Sequence, residues 1–150
     1  MVEPTPLSVA EQTQISRALI IWLNSFPELP AGVKKLSFQS LPKAGPAMSM
    51  GGLAGAVKTA EYIDGSYEAQ YPFAIVYRVL PKDDNARLNA QSILNDFGEW
   101  MEQQAAFPNI GAGRIVTEVS RTSTPGLAYR DDAGNEDYQG LYVLKYEQEG

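Results

Sequence analysis

The residues best able to do chemistry in this chain are carboxylates, and they gather in two places. RDDAGNED, residues 130–137, holds four of them, Asp131, Asp132, Glu136 and Asp137, around a glycine and an asparagine. Such a cluster suggests a calcium loop, in which oxygen ligands alternate ahead of a bidentate glutamate. The spacing does not fit D-x-[DN]-x-[DN]-G-x5-E, so a solvated turn in an acidic protein is the better reading. Asp83 and Asp84 form the second group, with the types needed for an acid and a base. They stand just before an amphipathic stretch, where a carboxylate caps a helix N-terminus, and capping is the better account. Gly111 and Gly113 make a GxG, but they precede a strand pattern. A dinucleotide fingerprint follows a strand and opens a helix.

Histidine and cysteine are both absent. That excludes disulfides, thiolate metal sites, a cysteine nucleophile and the Ser-His-Asp arrangement, and it removes the usual zinc or copper ligands. Carboxylate, lysine, arginine, serine and tyrosine remain, with no convergent acidic pair among them. The sequence therefore predicts no catalytic residue, no metal and no cofactor. A formal charge of -6 and a pI near 4.6 oppose affinity for nucleic acid, since phosphate contacts come from Lys and Arg. MVEPTPLSVAEQ lacks a basic region followed by an apolar one, and no run approaches the ~20 apolar residues of a membrane span. A soluble, cytoplasmic protein is expected.

Two helices must carry much of the core. SVAEQTQISRALIIWLNSF places Ile15, Ala18, Leu19, Trp22 and Phe26 at helical spacing, with Ser8 and Glu11 spaced as a capping box and Pro27 and Pro30 closing the segment. After Pro81, the residues Ala86, Ala90, Ile93, Leu94, Phe97, Trp100 and Met101 make one apolar face of a second helix ending near Gln104. Trp22 and Trp100 read as core residues.

Extended segments account for most of the remainder. VKKLSFQSL, with Val33, Leu36, Phe38 and Leu41, reads as a strand. GAVKTAEYIDGSYEAQYPFAIVYRVL reads as a hairpin turning at Asp64-Gly65, with Pro72 marking an edge or a bulge. RIVTEVSRTS and YQGLYVLKYEQ read as two more strands. Between the first strand and the hairpin, residues 43–56 cluster Gly, Ala and Met with no visible period, and a long mobile loop is expected there, offering Met48, Met50 and Leu53 to a partner. No repeat or linker divides the chain. The prediction is one α+β domain over residues 1–150, with two helices packed on one face of a mainly antiparallel sheet of four to five strands.

Two helices cover only one face of such a sheet. The other face carries Ala74, Val76 and Leu80 from the hairpin, with Leu141 and Val143 from the last strand. Leaving a valine or leucine in water forfeits roughly 1.5–3 kcal/mol, against about 5–15 kcal/mol of total stability. Either residues 43–56 or the tip near Leu127 folds back over this face, or another molecule covers it.

In order and spacing, the chain resembles the minor capsid or tail terminator proteins of long-tailed, siphovirus-type bacteriophages. The resemblance rests on the helix with its Trp22-Leu23 pair, the Gly-rich segment, the Asp64-Gly65-Ser66 turn, the Tyr71-Pro72-Phe73-Ala74 step, the Leu94 to Glu102 helix with Trp100, and the closing YQGLYVLKYE strand. It covers nearly the whole chain. The resemblance implies a small non-enzymatic subunit that forms a ring, hexameric in the better-known members, which caps the tail tube, stops its polymerisation and docks the head connector. Implied partners are further copies of the chain, the tail tube protein and a head-completion protein, in a virion neck assembled in the bacterial cytoplasm. A ring would cover the second sheet face, with Ala74, Val76, Leu80, Leu141 and Val143 as interface. A lumen that passes the genome should be acidic, and Asp131, Asp132, Glu136 and Asp137 are the candidates to line it. The alternative reading is a non-enzymatic binding module whose apolar sheet face takes a peptide or small ligand.

Overall fold

In the computed structural model, which describes residues 4–150, the order along the chain is β1 (Thr5–Pro6), α1 (Val9–Leu23), β2 (Leu36–Phe38), β3 (Ala47–Gly52), β4 (Val57–Glu61), β5 (Tyr67–Val79), α2 (Asp84–Glu102), β6 (Arg114–Arg121), β7 (Gly126–Arg130) and β8 (Glu136–Gln148). Two 13-residue strands, β5 and β8, run antiparallel along their whole length, from Tyr67 opposite Gln148 to Val79 opposite Glu136. Each is flanked on its outer side by two shorter strands placed end to end. Along β5 these are β4 and then β3; along β8 they are β6 and then β7. β1 adds to β4 antiparallel, and β2 adds to β3 in parallel.

The sheet therefore has eight strands, more than the four to five that alternation suggests. β2 falls within the expected VKKLSFQSL strand, whereas β1 and β7, two and five residues long, are too short to show a period. β3 is the larger correction. Within residues 43–56, expected as a mobile loop, Ala47–Gly52 lies between β2 and β5 with neighbours on both sides. Met48 and Met50 are buried in the core at 2% and 0% exposure, and neither is offered to a partner. Their alternation with Ala47, Ser49 and Gly51 is a strand period that small residues disguise.

Pro72 is a second correction, since it sits in the central strand β5 opposite Val143. Its carbonyl accepts a hydrogen bond from the Leu53 amide at 3.0 Å, so that carbonyl and the proline nitrogen both face the seam between β3, which ends at Gly52, and β4, which begins at Val57. No ladder donor is needed there. The β4–β5 turn is also longer than a two-residue one: the Tyr62 amide donates to the Ser66 carbonyl at 2.9 Å, and Gly65 adopts φ +91°.

The helices form where the caps and apolar spacing place them. Ser8 Oγ accepts from the Glu11 amide at 3.1 Å, and Asp83 Oδ1 accepts from the Ala86 amide at 2.9 Å. α1 buries Ile15, Leu19 and Leu23; α2 buries Ala90, Leu94, Phe97 and Met101. Both helices meet the same sheet face, which carries Tyr71, Phe73 and Ile75 of β5 opposite Leu144, Tyr142 and Gly140 of β8. Ser16 Oγ lies 2.5 Å from Tyr71 Oη, and Tyr142 Oη donates to the Leu94 carbonyl at 2.8 Å. Aromatic rings join the helix layer to itself, with Trp22 and Trp100 centred 5.1 Å apart and Phe26 stacked on Phe97 at 4.2 Å. A side chain at Gly140 would collide with Tyr142, and one at Gly98 with the Arg121 stem, so these two glycines let strand and helix close on a large buried ring.

Because Met50 is fully buried between sheet and helix, Met50→Ala should cost roughly 2–5 kcal/mol of unfolding free energy. Urea denaturation reads this directly. A change within about 0.5 kcal/mol, as for a surface position, would return the segment to a loop.

Candidate interaction face

The register settles which side chains share the second face of the sheet. Ala74 lies opposite Leu141 and Pro72 opposite Val143, while Val76 has Ser49 of β3 on one side and Gln139 of β8 on the other. Ala74 and Val143, at 5% and 8% exposure, are screened by ladder neighbours. Val76 and Leu141 are half-buried. Leu41, Leu53 and Arg78 rim a shallow hollow of about 420 Å³ whose floor includes Ser49, Ala74 and Val76. Leu53 is thus at the rim, away from Met48 and Met50. Leu80 does not join the group. It follows the end of β5, is 57% exposed, and lies beside Gly134 of the β7–β8 turn.

The acidic tip is mostly not free carboxylate. Glu136 is 1% exposed and accepts from Arg130 Nε at 2.8 Å, Arg87 Nε at 3.1 Å and Tyr138 Oη at 2.9 Å. Asp137 receives a two-pronged contact from Arg78, at 2.7 and 2.9 Å. Asp131 shapes the turn, accepting from the Ala133 and Asn135 amides at 3.0 and 2.8 Å. Of the four candidate lumen residues, Asp132 alone is exposed. Glu136 and Asp137 are corrected to structural ion pairs: each stands next to a strand neighbour or helix that brings an arginine to it.

A third polar cluster ties α1 to the sheet. Glu11, instead of closing the capping box, turns its carboxylate to accept from Tyr67 Oη at 2.8 and 2.9 Å and from Tyr146 Oη, with Arg114 at 3.8 Å. Burial and the adjacent Glu11 charge push the Tyr67 hydroxyl up to about 12 and raise that of Tyr146 further. Both tyrosines therefore remain protonated donors at neutral pH. Among the described residues every buried side-chain nitrogen or oxygen has a hydrogen-bond partner, and no group of three or more carboxylates is placed to hold a metal ion. No described helix is long and apolar enough to cross a membrane.

One feature escapes pattern reading altogether. Between α1 and the ends of β2 and β3 lies a cleft of about 510 Å³, lined by Val9, Arg17 and Ile20 of the helix, by Phe38 and Leu53, and floored by Tyr71. Its walls come from segments far apart in sequence, so no local period announces it. By contrast, the exposed Ile63 beside the Asp64-Gly65 turn has a visible signal, an isoleucine at a place turns normally give to polar residues.

No family model matches the chain, and no curated protein matches it.

Ion pairing gives the fold a definite acid response. Arg121 holds the Glu102 carboxyl below its ordinary 4.5, mainly through direct hydrogen bonds. Burial raises that of Glu136, but hydrogen bonds from Tyr138, Arg87 and Arg130 outweigh burial and leave it below 4.5 as well. A depressed carboxyl stabilises the fold fully above the unfolded value and loses that contribution as pH falls through the folded one. Urea midpoints should therefore hold between about pH 7 and 5 and drop below roughly 4.5. Glu136→Gln should flatten that drop, and an unchanged acid profile would contradict the assignment.

Proposed function

We propose that the chain is a structural, non-enzymatic virion protein that forms a ring at the end of a bacteriophage tail tube, ends tube polymerisation and joins tail to head. The observation that carries this reading is the sheet face of Ala74, Val76, Leu141 and Val143, which lies opposite both helices and still presents half-buried Val76 and Leu141. Subunit contact removes such surface from water, at roughly 25 cal/mol per Å² of apolar area. The order of helix, Gly-rich strand, YIDGSYEAQYPFAIVYR hairpin, Trp-bearing helix and closing strand supports it through the resemblance to tail terminators. The partners are further copies of the chain, in the ring number of the hexameric members, with the tail tube protein below and a head-completion protein above.

The charge fits the same task. Six excess negative charges per subunit disfavour phosphate contacts that would retard a passing genome. With Glu136 and Asp137 consumed by arginines, Asp132 is the tip carboxylate left to face a lumen. A second reading, a module that binds a peptide or small ligand, draws on the cleft beneath α1, whose volume lies within the range of about 300–1,000 Å³ found for ligand pockets.

Negative-stain images of the purified protein, and of tails assembled without it, test the proposal. Closed rings, and tubes of uncontrolled length in its absence, are expected; tails of normal length would overturn it. Val76→Asp should leave a folded subunit that no longer forms rings, since an unpaired charge buried at an interface costs about 3–5 kcal/mol. Rings formed by that variant would remove this face from the interface, and an unfolded variant would place Val76 in the core.

A further inference from the structure

The cleft beneath α1 and the β4–β5 turn are complementary in charge, and both are apolar at their exposed part. At the turn, Ile63 is 109% exposed and Tyr62 is 52% exposed, making an apolar knob that the subunit's own cleft does not hold. Carboxylates flank the knob on both sides. Glu61 has a side chain 53% exposed, lies 3.7 Å from Lys58 and accepts from the Thr5 hydroxyl at 3.1 Å, while Asp64 uses one oxygen to accept from the Ser66 amide and hydroxyl. That pair of bonds, the hydroxyl one foremost, keeps the Asp64 carboxyl below its ordinary range and therefore charged. The cleft supplies the opposite pattern. Val9 at 79% exposure and Phe38 at 47% leave its mouth apolar, and among the described residues Arg17 is the one charged residue in its lining. Among the described residues Arg17 forms no ion pair.

We propose that Ile63 of one subunit inserts into the α1 cleft of the next copy, with Asp64 or Glu61 meeting Arg17. A second copy of the chain is the occupant because it carries both halves of the match: an apolar tip bracketed by acids, and an apolar cleft with an unpaired cation. The proposal rests on the ring reading above and gives it a direction. A knob that fills a different site on its neighbour is a head-to-tail contact, which closes into a ring when the rotation allows and otherwise runs on as a filament. Hydrophobic contact would supply the affinity and the Arg17 charge the orientation. The cleft adjoins the open sheet face, with Gln39, Gly52 and Leu53 lining both, so the two contacts would be neighbours on an assembled subunit.

The absence of cysteine makes the contact directly testable. Full-length protein carrying Ile63→Cys is mixed with a differently tagged preparation carrying Val9→Cys, at the highest soluble concentration and with mild oxidant. A mixed-tag disulfide species is expected, and replacing Val9→Cys by Ile115→Cys, an exposed position on β6, should abolish it. Ile63→Asp should weaken self-association by about tenfold or more in sedimentation velocity. Closed rings without the cross-link would overturn this contact, leave the ring reading standing and assign the cleft to another occupant. A cross-link in open chains without rings would uphold the contact and overturn the ring. Monomers with neither would overturn both.

Discussion

The full-length pairing of β5 with β8 is the constraint on which the rest of the molecule hangs. Every other strand joins the sheet through one of these two, directly or through one intermediate. Their thirteen opposed positions also fix which side chains face the helices, because a slip of one residue would send Tyr71, Phe73, Tyr142 and Tyr146 to the opposite face. Those large rings define the thickness of the core, and both helices are held at the height they set. Gly98 and Gly140 then make sense as the places where that height is relieved.

Polar chemistry in this fold is spent on fastening layers. Glu11 joins α1 to β5 and β8, Glu136 joins α2 and β7 to β8, and Glu102 joins the end of α2 to β6 through Arg121. Each link places a carboxylate against a phenol or guanidinium, the charge-assisted type of bond that also fixes orientation. A protein with no histidine thereby has its strongest electrostatic features committed to shape. The surfaces left for recognition are apolar, at the open sheet face, the α1 cleft and the β4–β5 turn.

Much of this architecture is legible in the sequence, and the remainder fails for identifiable reasons. Both helices carry their capping residue and an apolar stripe, so Ser8, Asp83 and the buried Leu19 and Phe97 could be placed in advance. The two-sided apolar run from Phe73 to Val76 likewise marks a strand with an apolar face turned away from the helices, as the register shows, although Pro72 pointed to an edge or a bulge and the strand is central. β3 was hidden because glycine, alanine and serine occupy the positions that normally mark a strand. The acidic tip misleads for another reason: Arg78 and Arg87 stand 59 and 49 residues from the carboxylates they neutralise, and no local pattern reports a partner at that separation. The cleft has the same long-range origin.

Pro72 divides one flank of the central ladder into two mechanically separate parts. Six residue pairs join β3 to β5 on one side of it and four join β4 to β5 on the other, with no proline donor to bridge the seam. β3 and β4 therefore do not pair with each other and are coupled only through β5 and the short connector 53–56. A pull on the turn at Ile63 would load the four-pair segment first and peel it like a short zipper, while β3, Met48 and Met50 stayed seated in the core. The turn can thus yield to strain from a neighbouring molecule without opening the part of the sheet that holds the fold.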